Sequence, residues 1–252
     1  MKIIAITQAR LNSSRLPSKV VKKVKGETLL EIHIKRILRA ENIDKVIIAT
    51  TTREEDHAIC ELASQLGVAC HRGSEEDVLD RFYQAALNES ADYVVRLTSD
   101  CPLIDPQIID LVIDQAIKSG ADYSSNTLRP TYPDGMDVEV FKFDALKRAW
   151  LEATKNSDRE HVTPYIWRNS SFHGEKLFKA FSVEGVDDHS KMRLTVDQEE
   201  DFKLIQVLIE ELGVDCSSHA YVEFLLNHPD LQSYNAEIIR NEGLIKSIAD
   251  DK

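Results

Sequence analysis

The first residues that could do chemistry lie in a loop near the start of the chain, TQARLNSSRLPSK at residues 7–19. The loop follows the apolar run at 2–6 and contains three cations, Arg10, Arg15 and Lys19. Many of its other side chains are small and polar, which lets backbone N–H groups approach an anion closely. Cations placed in this way can pair with the charges of a triphosphate. The pattern leaves two interpretations open, a phosphate-binding loop and a solvated basic turn.

Two aspartates that could bind a metal each follow an apolar, strand-like run. Asp100 comes after the run at 92–98, and Asp197 comes after KMRLTV at 191–196. In an open parallel sheet, ligands bind beyond the carboxyl ends of the strands, where we expect both carboxylates to meet the basic loop. Mg²⁺ takes one or two protein carboxylates and completes its coordination with phosphate oxygens and water. The alternative interpretation is that the aspartates cap turns or helices, which Asp197 alone would fit.

A third polar group lies in YPDGMDVEVF at 132–141 and DREHVTPYIWRN at 158–169. Asp137 and Glu139 are two residues apart, so their side chains would share one face of a strand. These segments could bind a polar second substrate, and the alternatives are a turn and a salt-bridged helix at a dimer contact. The candidate residues are Asp134, Asp137, Glu139, Arg159, Glu160 and His161.

Composition and charge limit the class of protein. Of the 252 residues, 42% are hydrophobic and 29% are charged, as is ordinary for a soluble globular protein. A net charge of −12 argues against nucleic-acid binding over a broad basic face. The four cysteines lack the spacing of a zinc site, and the apolar N-terminal stretch is too short to cross a bilayer. We therefore expect a cytoplasmic protein with free thiols that binds neither nucleic acid nor a membrane.

Val- and Ile-rich runs alternate with helical patterns along the first half of the chain. The predicted strands lie at 2–6, 45–50, 68–71 and 92–98, and the predicted helices at 27–40, 54–66, 76–89 and 106–118. Further helices are predicted at 143–154, 158–168 and 198–212, with extended segments at 176–183 and 191–196. This alternation predicts an α/β fold with a mostly parallel sheet and helices on both faces. We expect one domain over 1–252, with a lobe at about 120–190 and a helical C-terminal arm at about 213–252.

Several stretches, in order along nearly the whole chain, match the pattern of one known family. They are QARLNSSRLPSKV near the start, ATTTREED at 49–56, RGSEEDVLDRF at 72–82, RLTSDCPLID at 96–105, SNTLRPTYPDGMDVEVF at 125–141, REHVTPYIWRN at 159–169 and RLTVDQEEDF at 193–202. Through them the chain resembles the 3-deoxy-manno-octulosonate and acylneuraminate cytidylyltransferases, and most of all the branch named after spore coat polysaccharide biosynthesis protein F. The resemblance implies a homodimer with a Rossmann-like nucleotidyltransferase fold, similar to the catalytic domain of nucleotide-sugar glycosyltransferases.

The resemblance also implies a reaction and a role for each candidate residue. With Mg²⁺, the protein would transfer CMP from CTP to a sugar acid resembling 3-deoxy-manno-octulosonate or a nonulosonate, and release pyrophosphate, in cell-surface polysaccharide biosynthesis. Arg10, Lys19 and Asp100 would be catalytic, and Asp100 and Asp197 would bind Mg²⁺. The implied nucleotide-binding residues are Gln8, Ala9, Arg10, Leu11, Asn12, Ser13, Ser14, Arg15, Lys19, Arg81, Thr98 and Ser99. The implied sugar-binding residues are Asp134, Asp137, Glu139, Arg159, Glu160 and His161.

Two other classes of protein remain open from the sequence. A nucleotide-sugar-dependent glycosyltransferase of similar fold would commonly show a D-x-D motif, which TSDCP at 98–102 lacks. A non-catalytic nucleotide-binding partner would tend to lose the metal aspartates and the loop cations, and all of them are present. The chain also departs from the better-characterised sugar-acid enzymes at Ser99, where they usually have glycine. The acceptor stays open as well, since a carboxylated sugar would need a cationic clamp, for which Arg129, Arg159 and Arg168 are available.

Overall fold

Seven strands form the main sheet of the structure, a computed structural model that describes residues 1–12 and 15–251. The described residues form nine strands in all: β1 Ile3–Gln8, β2 Lys23–Val24, β3 Glu27–Thr28, β4 Lys45–Thr51, β5 Ala69–Gly73, β6 Tyr93–Thr98, β7 Tyr123–Ser125, β8 Glu139–Lys142 and β9 Ala180–Ser182. The order across the main sheet is β5-β4-β1-β6-β8-β7-β9. The remaining two strands, β2 and β3, form a separate antiparallel pair.

Strand β1 lies near the centre of the sheet. It pairs in parallel with β4 on one side and with β6 on the other, so that Ile6 lies opposite both Ile47 and Arg96. β5 continues in parallel beyond β4, whereas β8 runs antiparallel to β6 and β7, and β9 is parallel to β7. Only β8 therefore opposes the common direction, which confirms the predicted mostly parallel sheet. The carboxyl ends of β1 and β6 meet at one edge, where the basic loop and Asp100 follow.

The helices begin and end close to the local signals in the sequence. They are α1 Leu29–Ile37, α2 His57–Gln65, α3 Val78–Asn88, α4 Pro106–Ser119, α5 Phe143–Glu152, α6 Asn156–His161, α7 Pro164–Arg168, α8 Glu199–Leu212, α9 Ser218–Asn227, α10 Pro229–Gln232 and α11 Glu242–Asp250. Thr28 and Glu31 form a capping box at the start of α1. Asp105 caps α4, and Gly120 ends it with a φ of 63°. None of the helices in the described ranges is both long and apolar enough to cross a bilayer.

Apolar residues cover both faces of the sheet. Ile3 and Ala5 of β1 pack into a cluster with residues of α1, α4 and α8. Ile4 and Ile6 point to the other face and pack with residues of α3 and α5. Burial on both faces is typical of parallel strands, and it confirms the expected placement of helices on the two sides.

The predicted helix at 158–168 is divided into the two short helices α6 and α7. The break is at Val162, whose φ of 71° lies outside the helical range, and Pro164, which has no backbone N–H to donate, begins the second helix. His161, the last residue of α6, lines both of the cavities described below.

The predicted strand at 191–196 is not a strand of the sheet. Its backbone bonds to two loops instead, with Leu194 N–H donating to the carbonyl of Asp134 and Val196 N–H to the carbonyl of Asp100. An isolated bridge between Asp134 and Arg193 is the β-type pairing that remains. The segment nevertheless brings its last residues to the end of β6, because the Val196 bond fixes it there.

Candidate active site

Lys19 lies between two aspartates at the edge of the sheet. Its ammonium donates to Asp100 Oδ2 at 3.1 Å, to Asp197 Oδ1 at 2.8 Å and to the carbonyl of Val196 at 2.9 Å. Asp100 follows β6 and Asp197 precedes α8, and the Val196 N–H to Asp100 carbonyl bond joins their two segments at 2.7 Å. The basic loop and the two predicted metal ligands therefore converge.

The charges of this cluster stabilise one another. Burial would lower the pKa of Lys19, but the carboxylates of Asp100 and Asp197 raise it, and the result is a raised pKa. Burial likewise opposes ionisation of Asp100, yet the ammonium of Lys19 holds the pKa of that carboxyl well below its usual range. Lys19 and Asp100 are therefore both charged at neutral pH, as a site for phosphate and a metal ion requires.

Arg193 holds the other oxygen of Asp197, and no sequence signal indicated this role. Its buried guanidinium bonds to Asp134 Oδ2 at 2.6 Å, to Asp197 Oδ2 at 3.1 Å and to Asp201 Oδ1 at 2.9 Å. Asp201 also accepts from the backbone N–H of Asp197 at 2.9 Å. This network orients the carboxylate of Asp197 so that its Oδ1 faces Lys19. The sequence around Arg193 gives no hint that its guanidinium also reaches Asp134, which lies in a different segment.

A cavity of about 880 Å³ extends from this cluster along the basic loop. The predicted nucleotide-binding residues that line it are Gln8, Ala9, Arg10, Arg15, Lys19, Arg81, Thr98 and Ser99. Arg53, Arg159 and Lys246 add three further cations to its walls, and Glu75 pairs there with Arg10 at 3.2 Å. A cavity of this size with so many cations fits an anionic ligand of nucleotide size. We call it the basic cavity.

Arg81 indicates what such a ligand must offer. Only 3% of the residue is exposed, and its Nε and Nη1 have no hydrogen-bond partner among the described residues. Burial, and next the charge of Arg10, lowers the pKa of Arg81 to about 10, so the guanidinium stays charged. Gly73 makes room for it, because a Cβ on that residue would lie 2.7 Å from Arg81 Cγ. A buried guanidinium without acceptors costs free energy, so Arg81 points to a ligand with oxygen or nitrogen acceptors.

A second cavity of about 490 Å³ adjoins the basic cavity. The residues that line both are Gln8, Arg15, Thr98, Asp100, His161, Asp197 and Gly243. The second cavity is also lined by Asp134, Asp137 and Glu139 and by aromatic rings that include Tyr123 and Trp167. We call it the acidic cavity. Because Asp100 and Asp197 belong to both walls, two ligands could be joined beside them.

Glu139 is held firmly in the wall of the acidic cavity. Its Oε1 accepts from the hydroxyl groups of Tyr123 and Thr163, both at 2.6 Å, and its Oε2 accepts from Arg96. Every one of these donors is provided by a different element, β7, β6 or the turn before α7. Glu139 therefore fixes the shape of the wall more than it offers a free acceptor to a ligand.

Four residues of the basic loop that were predicted to bind nucleotide lie outside the cavity walls or the described ranges. Leu11 and Asn12 line neither cavity, and the Leu11 N–H donates to Asp56 Oδ1 at 2.8 Å. Ser13 and Ser14 lie outside the described residues.

The residues that were predicted to face the sugar separate into two groups. Asp134, Asp137 and Glu139 line the acidic cavity, whereas Arg159 and Glu160 line the basic cavity. His161 lines both. Arg159 bonds to Asp77 through Nε at 3.0 Å, which ties α6 to the start of α3.

The three arginines considered as a clamp for a carboxylate do not come together. Arg129 is exposed and pairs with Glu184 at 3.6 Å, and Arg168 pairs with Asp158 at 2.8 Å. Neither lines either cavity, whereas Arg159 lines the basic cavity.

The C-terminal segment at 235–247 contributes to the site, which the sequence did not indicate beyond a helical arm. Glu242 pairs with Arg15 at 3.5 Å, and the hydroxyl of Ser247 lies 3.0 Å from His161 Nε2. Residues of α11 line both cavities. A polar C-terminal helix ordinarily lies on a surface, so only the tertiary structure assigns it to the site.

Asp100 and Asp197 fit the demands of Mg²⁺. Both carboxylates reach the single nitrogen of Lys19, so one cation can contact both of them. No group of three or more metal-binding side chains occurs within residues 1–12 and 15–251. A Mg²⁺ ion held by two carboxylates would need phosphate oxygens and water to complete an octahedron.

A mostly parallel sheet with a basic loop after its first strand and two carboxylates facing that loop is the arrangement of a nucleotidyltransferase. Comparison with known families makes this more specific, since the family described as Cytidylyltransferase matches residues 4–227. The chain therefore belongs to the cytidylyltransferase family and is a nucleotidyltransferase, as the resemblance in the sequence predicted.

Similar proteins span nearly the whole chain. An uncharacterised protein of Methanocaldococcus jannaschii, MJ1063, is 40% identical over 94% of this chain and 96% of its own length. Spore coat polysaccharide biosynthesis protein SpsF of Bacillus subtilis is 31% identical over 90% of this chain and 95% of its own. The solved structure of a cytidylyltransferase from Leptospira borgpetersenii superimposes with a TM-score of 0.86 at 31% identity, covering 96% of this chain and 98% of that one.

Proposed function

We propose that this protein, with Mg²⁺, transfers CMP from CTP to a hydroxyl group of a sugar acid and releases pyrophosphate. The observation that supports this best is that the basic and acidic cavities meet at Asp100 and Asp197, beside Lys19. The proposal includes a cytoplasmic homodimer that acts in cell-surface polysaccharide biosynthesis, for which the family resemblance is the support.

The basic cavity would take CTP. Arg10 and Lys19, assisted by Arg15, would neutralise the phosphates, and each of them now pairs with a carboxylate that a phosphate can replace. Arg81 would donate to the acceptor atoms of the base, because its free Nε and Nη1 are buried away from water. Hydrogen bonds from a charged donor in a buried site contribute more than neutral ones, which favours selection at this position.

The acidic cavity would take the sugar, so that one of its hydroxyl groups lies in line with the α-phosphorus of CTP. Lining up two bound reactants can supply about 7–11 kcal/mol of the barrier, and no protein nucleophile is needed. Cys101, a thiol in the wall of this cavity, is not suited to that role because burial raises its pKa well above the usual range. Lys19 would donate to phosphate oxygens as negative charge moves toward the leaving pyrophosphate.

Asp100 and Asp197 would hold Mg²⁺, which when bound supplies charge stabilisation at the phosphate oxygens. The protein contributes the position of that site, since Arg193 orients Asp197 and Val196 holds the two segments together.

Nucleotide binding tests the first half of the proposal. The thermal unfolding midpoint is measured with CTP, UTP, ATP and GTP, each with and without Mg²⁺. We expect stabilisation by CTP with Mg²⁺ above the other nucleotides, since a ligand at a hundred times its Kd adds about 2.7 kcal/mol of stability. Equal responses to all four nucleotides would contradict the base selection, and no response to any would favour a protein that does not bind nucleotide.

Pyrophosphate release tests the second half. Asp100→Asn and Lys19→Ala should each lose the activity, because they remove a metal ligand and the cation between the aspartates. Lys22→Ala is the matched control, since Lys22 pairs with Glu199 at 2.9 Å and lines neither cavity. Full activity in Asp100→Asn or Lys19→Ala would remove the role proposed for that residue.

A further inference from the structure

The acidic cavity contains a carboxylate oxygen that is free to meet a ligand. Asp137 Oδ1 accepts from Arg240 Nη2 at 2.5 Å, and among the described residues no donor reaches Oδ2. The side chain lines the cavity and keeps 21% of its surface exposed. Asp137 therefore presents one acceptor atom to whatever occupies the cavity.

The arginines of this cavity already form ion pairs with carboxylates. Each arginine that lines it pairs with a carboxylate: Arg15 with Asp197, Arg96 with Glu139, and Arg193 with Asp134, Asp197 and Asp201. Arg193 is shared by three carboxylates, so it neutralises each of them only in part. The wall near Asp137 thus carries more negative than positive charge.

Burial, together with this excess of negative charge, makes ionisation of Asp137 unfavourable, which is seen in its pKa. Burial raises the pKa of Asp137, the charges of Asp134 and Glu139 act in the same direction, and Arg240 opposes them; the result is a pKa of about 7. A partly buried carboxylate without a sufficient counter-charge is costly, and a cation at Oδ2 would remove that cost. The amide oxygen of Gln8, in the wall shared by the two cavities, is also buried and has no donor among the described residues.

We propose that the acceptor carries a protonated amine and that Asp137 binds this amine through Oδ2. A neutral hydroxyl could donate to the same oxygen, but it would leave the excess negative charge unbalanced, whereas an ammonium supplies both the donor and the charge. The acceptor class is then an amino-deoxy sugar. A sugar acid that also bears an amine agrees both with the proposed function and with this inference. This inference rests on the proposed function, because it takes the acidic cavity as the acceptor site.

The test compares probes that differ only by the amine. Sugar acids with a primary amine at successive carbons are paired with their hydroxyl and N-acetyl counterparts. Binding is measured by thermal shift and calorimetry to protein loaded with Mg²⁺ and α,β-methylene CTP, which cannot react. We expect at least one amine to bind roughly tenfold to a hundredfold more tightly than both of its counterparts, as the loss of a charged hydrogen bond would require.

Variants locate the effect at Asp137. Asp137→Asn should remove the preference for the amine, because the amide cannot balance its charge, while Asp137→Glu should retain part of it. Both variants should still bind α,β-methylene CTP like the wild type, since Asp137 does not line the basic cavity.

The proposal is overturned if no amine in the panel binds more tightly than its hydroxyl counterpart, or if Asp137→Asn keeps the preference. The comparison in the wild-type protein needs no variant, so misfolding of a variant cannot hide the answer. A response to α,β-methylene CTP separates the two proposals. If that response is absent, the proposed function fails, and if it is present without an amine preference, only the inference about the acceptor fails.

Discussion

Gly73→Ala should weaken CTP binding through a single displaced side chain. The glycine does not need its conformational freedom for a left-handed backbone, so alanine is tolerated by β5 itself. Its Cβ would however lie 2.7 Å from Cγ of Arg81, closer than carbon atoms approach without one of them moving. Because Cγ is near the fixed backbone of α3, Arg81 must change its side-chain conformation to make room.

The magnitude follows from what Arg81 would lose. A hydrogen bond from a charged donor contributes about 1.5–3 kcal/mol, so losing the one that we propose to select the base should reduce CTP affinity roughly tenfold to a hundredfold. Crowding of a packed site costs about 1–3 kcal/mol of stability, unless the guanidinium moves out to water. The measurement is the Kd of CTP with Mg²⁺ by calorimetry, with the free energy of unfolding measured in urea.

Two controls make the prediction specific. Gly185→Ala adds the same methyl group where the nearest atom is 3.4 Å away, an ordinary contact, and it should leave CTP affinity unchanged. In an Arg81→Ala background, Gly73→Ala should have no further effect, because the side chain that it displaces is already gone. An unchanged Kd in Gly73→Ala, or losses that simply add in the double variant, would refute the reasoning.

Lys19→Met should destabilise the free protein by about 3–5 kcal/mol at most, because it leaves the partly buried carboxylate of Asp100 without its cation, and Mg²⁺ should restore part of that loss in urea unfolding. The raised pKa of Asp137 means that the native state binds the proton more tightly than the unfolded chain, so this residue makes stability fall as pH rises from the usual carboxyl range to about 7. Asp137→Asn should therefore gain stability relative to wild type between pH 5 and pH 8, and an unchanged difference would show that the carboxyl titrates normally. Arg240→Ala should raise the KM of the acceptor with little change in the Kd of CTP, since the two carboxylates that Arg240 pairs with, Asp134 and Asp137, line the acidic cavity and not the basic one; a matched loss of both would contradict the separation of the two cavities. Thr28→Ala should cost about 1 kcal/mol of stability without loss of activity, because it removes a helix cap away from both cavities.

Local patterns in the chain determined the framework of this protein. Alternating Val- and Ile-rich runs and amphipathic segments predicted β1, β4, β5 and β6 and the helices between them, because hydrophobic periodicity and helix caps act over a few residues. The parallel direction followed, since a helix between two strands returns the chain to the same end of the sheet. That direction alone was sufficient to predict that Lys19 and Asp100 approach one another, and the structure shows their side chains bonded.

Tertiary structure decided how the side chains of the proposed acceptor site are arranged. Arg193 bonds to Asp134, and Arg240 bonds to Asp137 across more than a hundred residues of sequence, and no spacing rule connects either pair. The surroundings of Asp137 likewise depend on burial and on neighbouring charges, which are properties of a folded cavity and not of a residue type. The sequence therefore determined where a nucleotide site could form, because strand direction is a local consequence of the pattern. Which acceptor the site would take was decided by long-range packing, because charge balance in a cavity is summed over every segment that lines it.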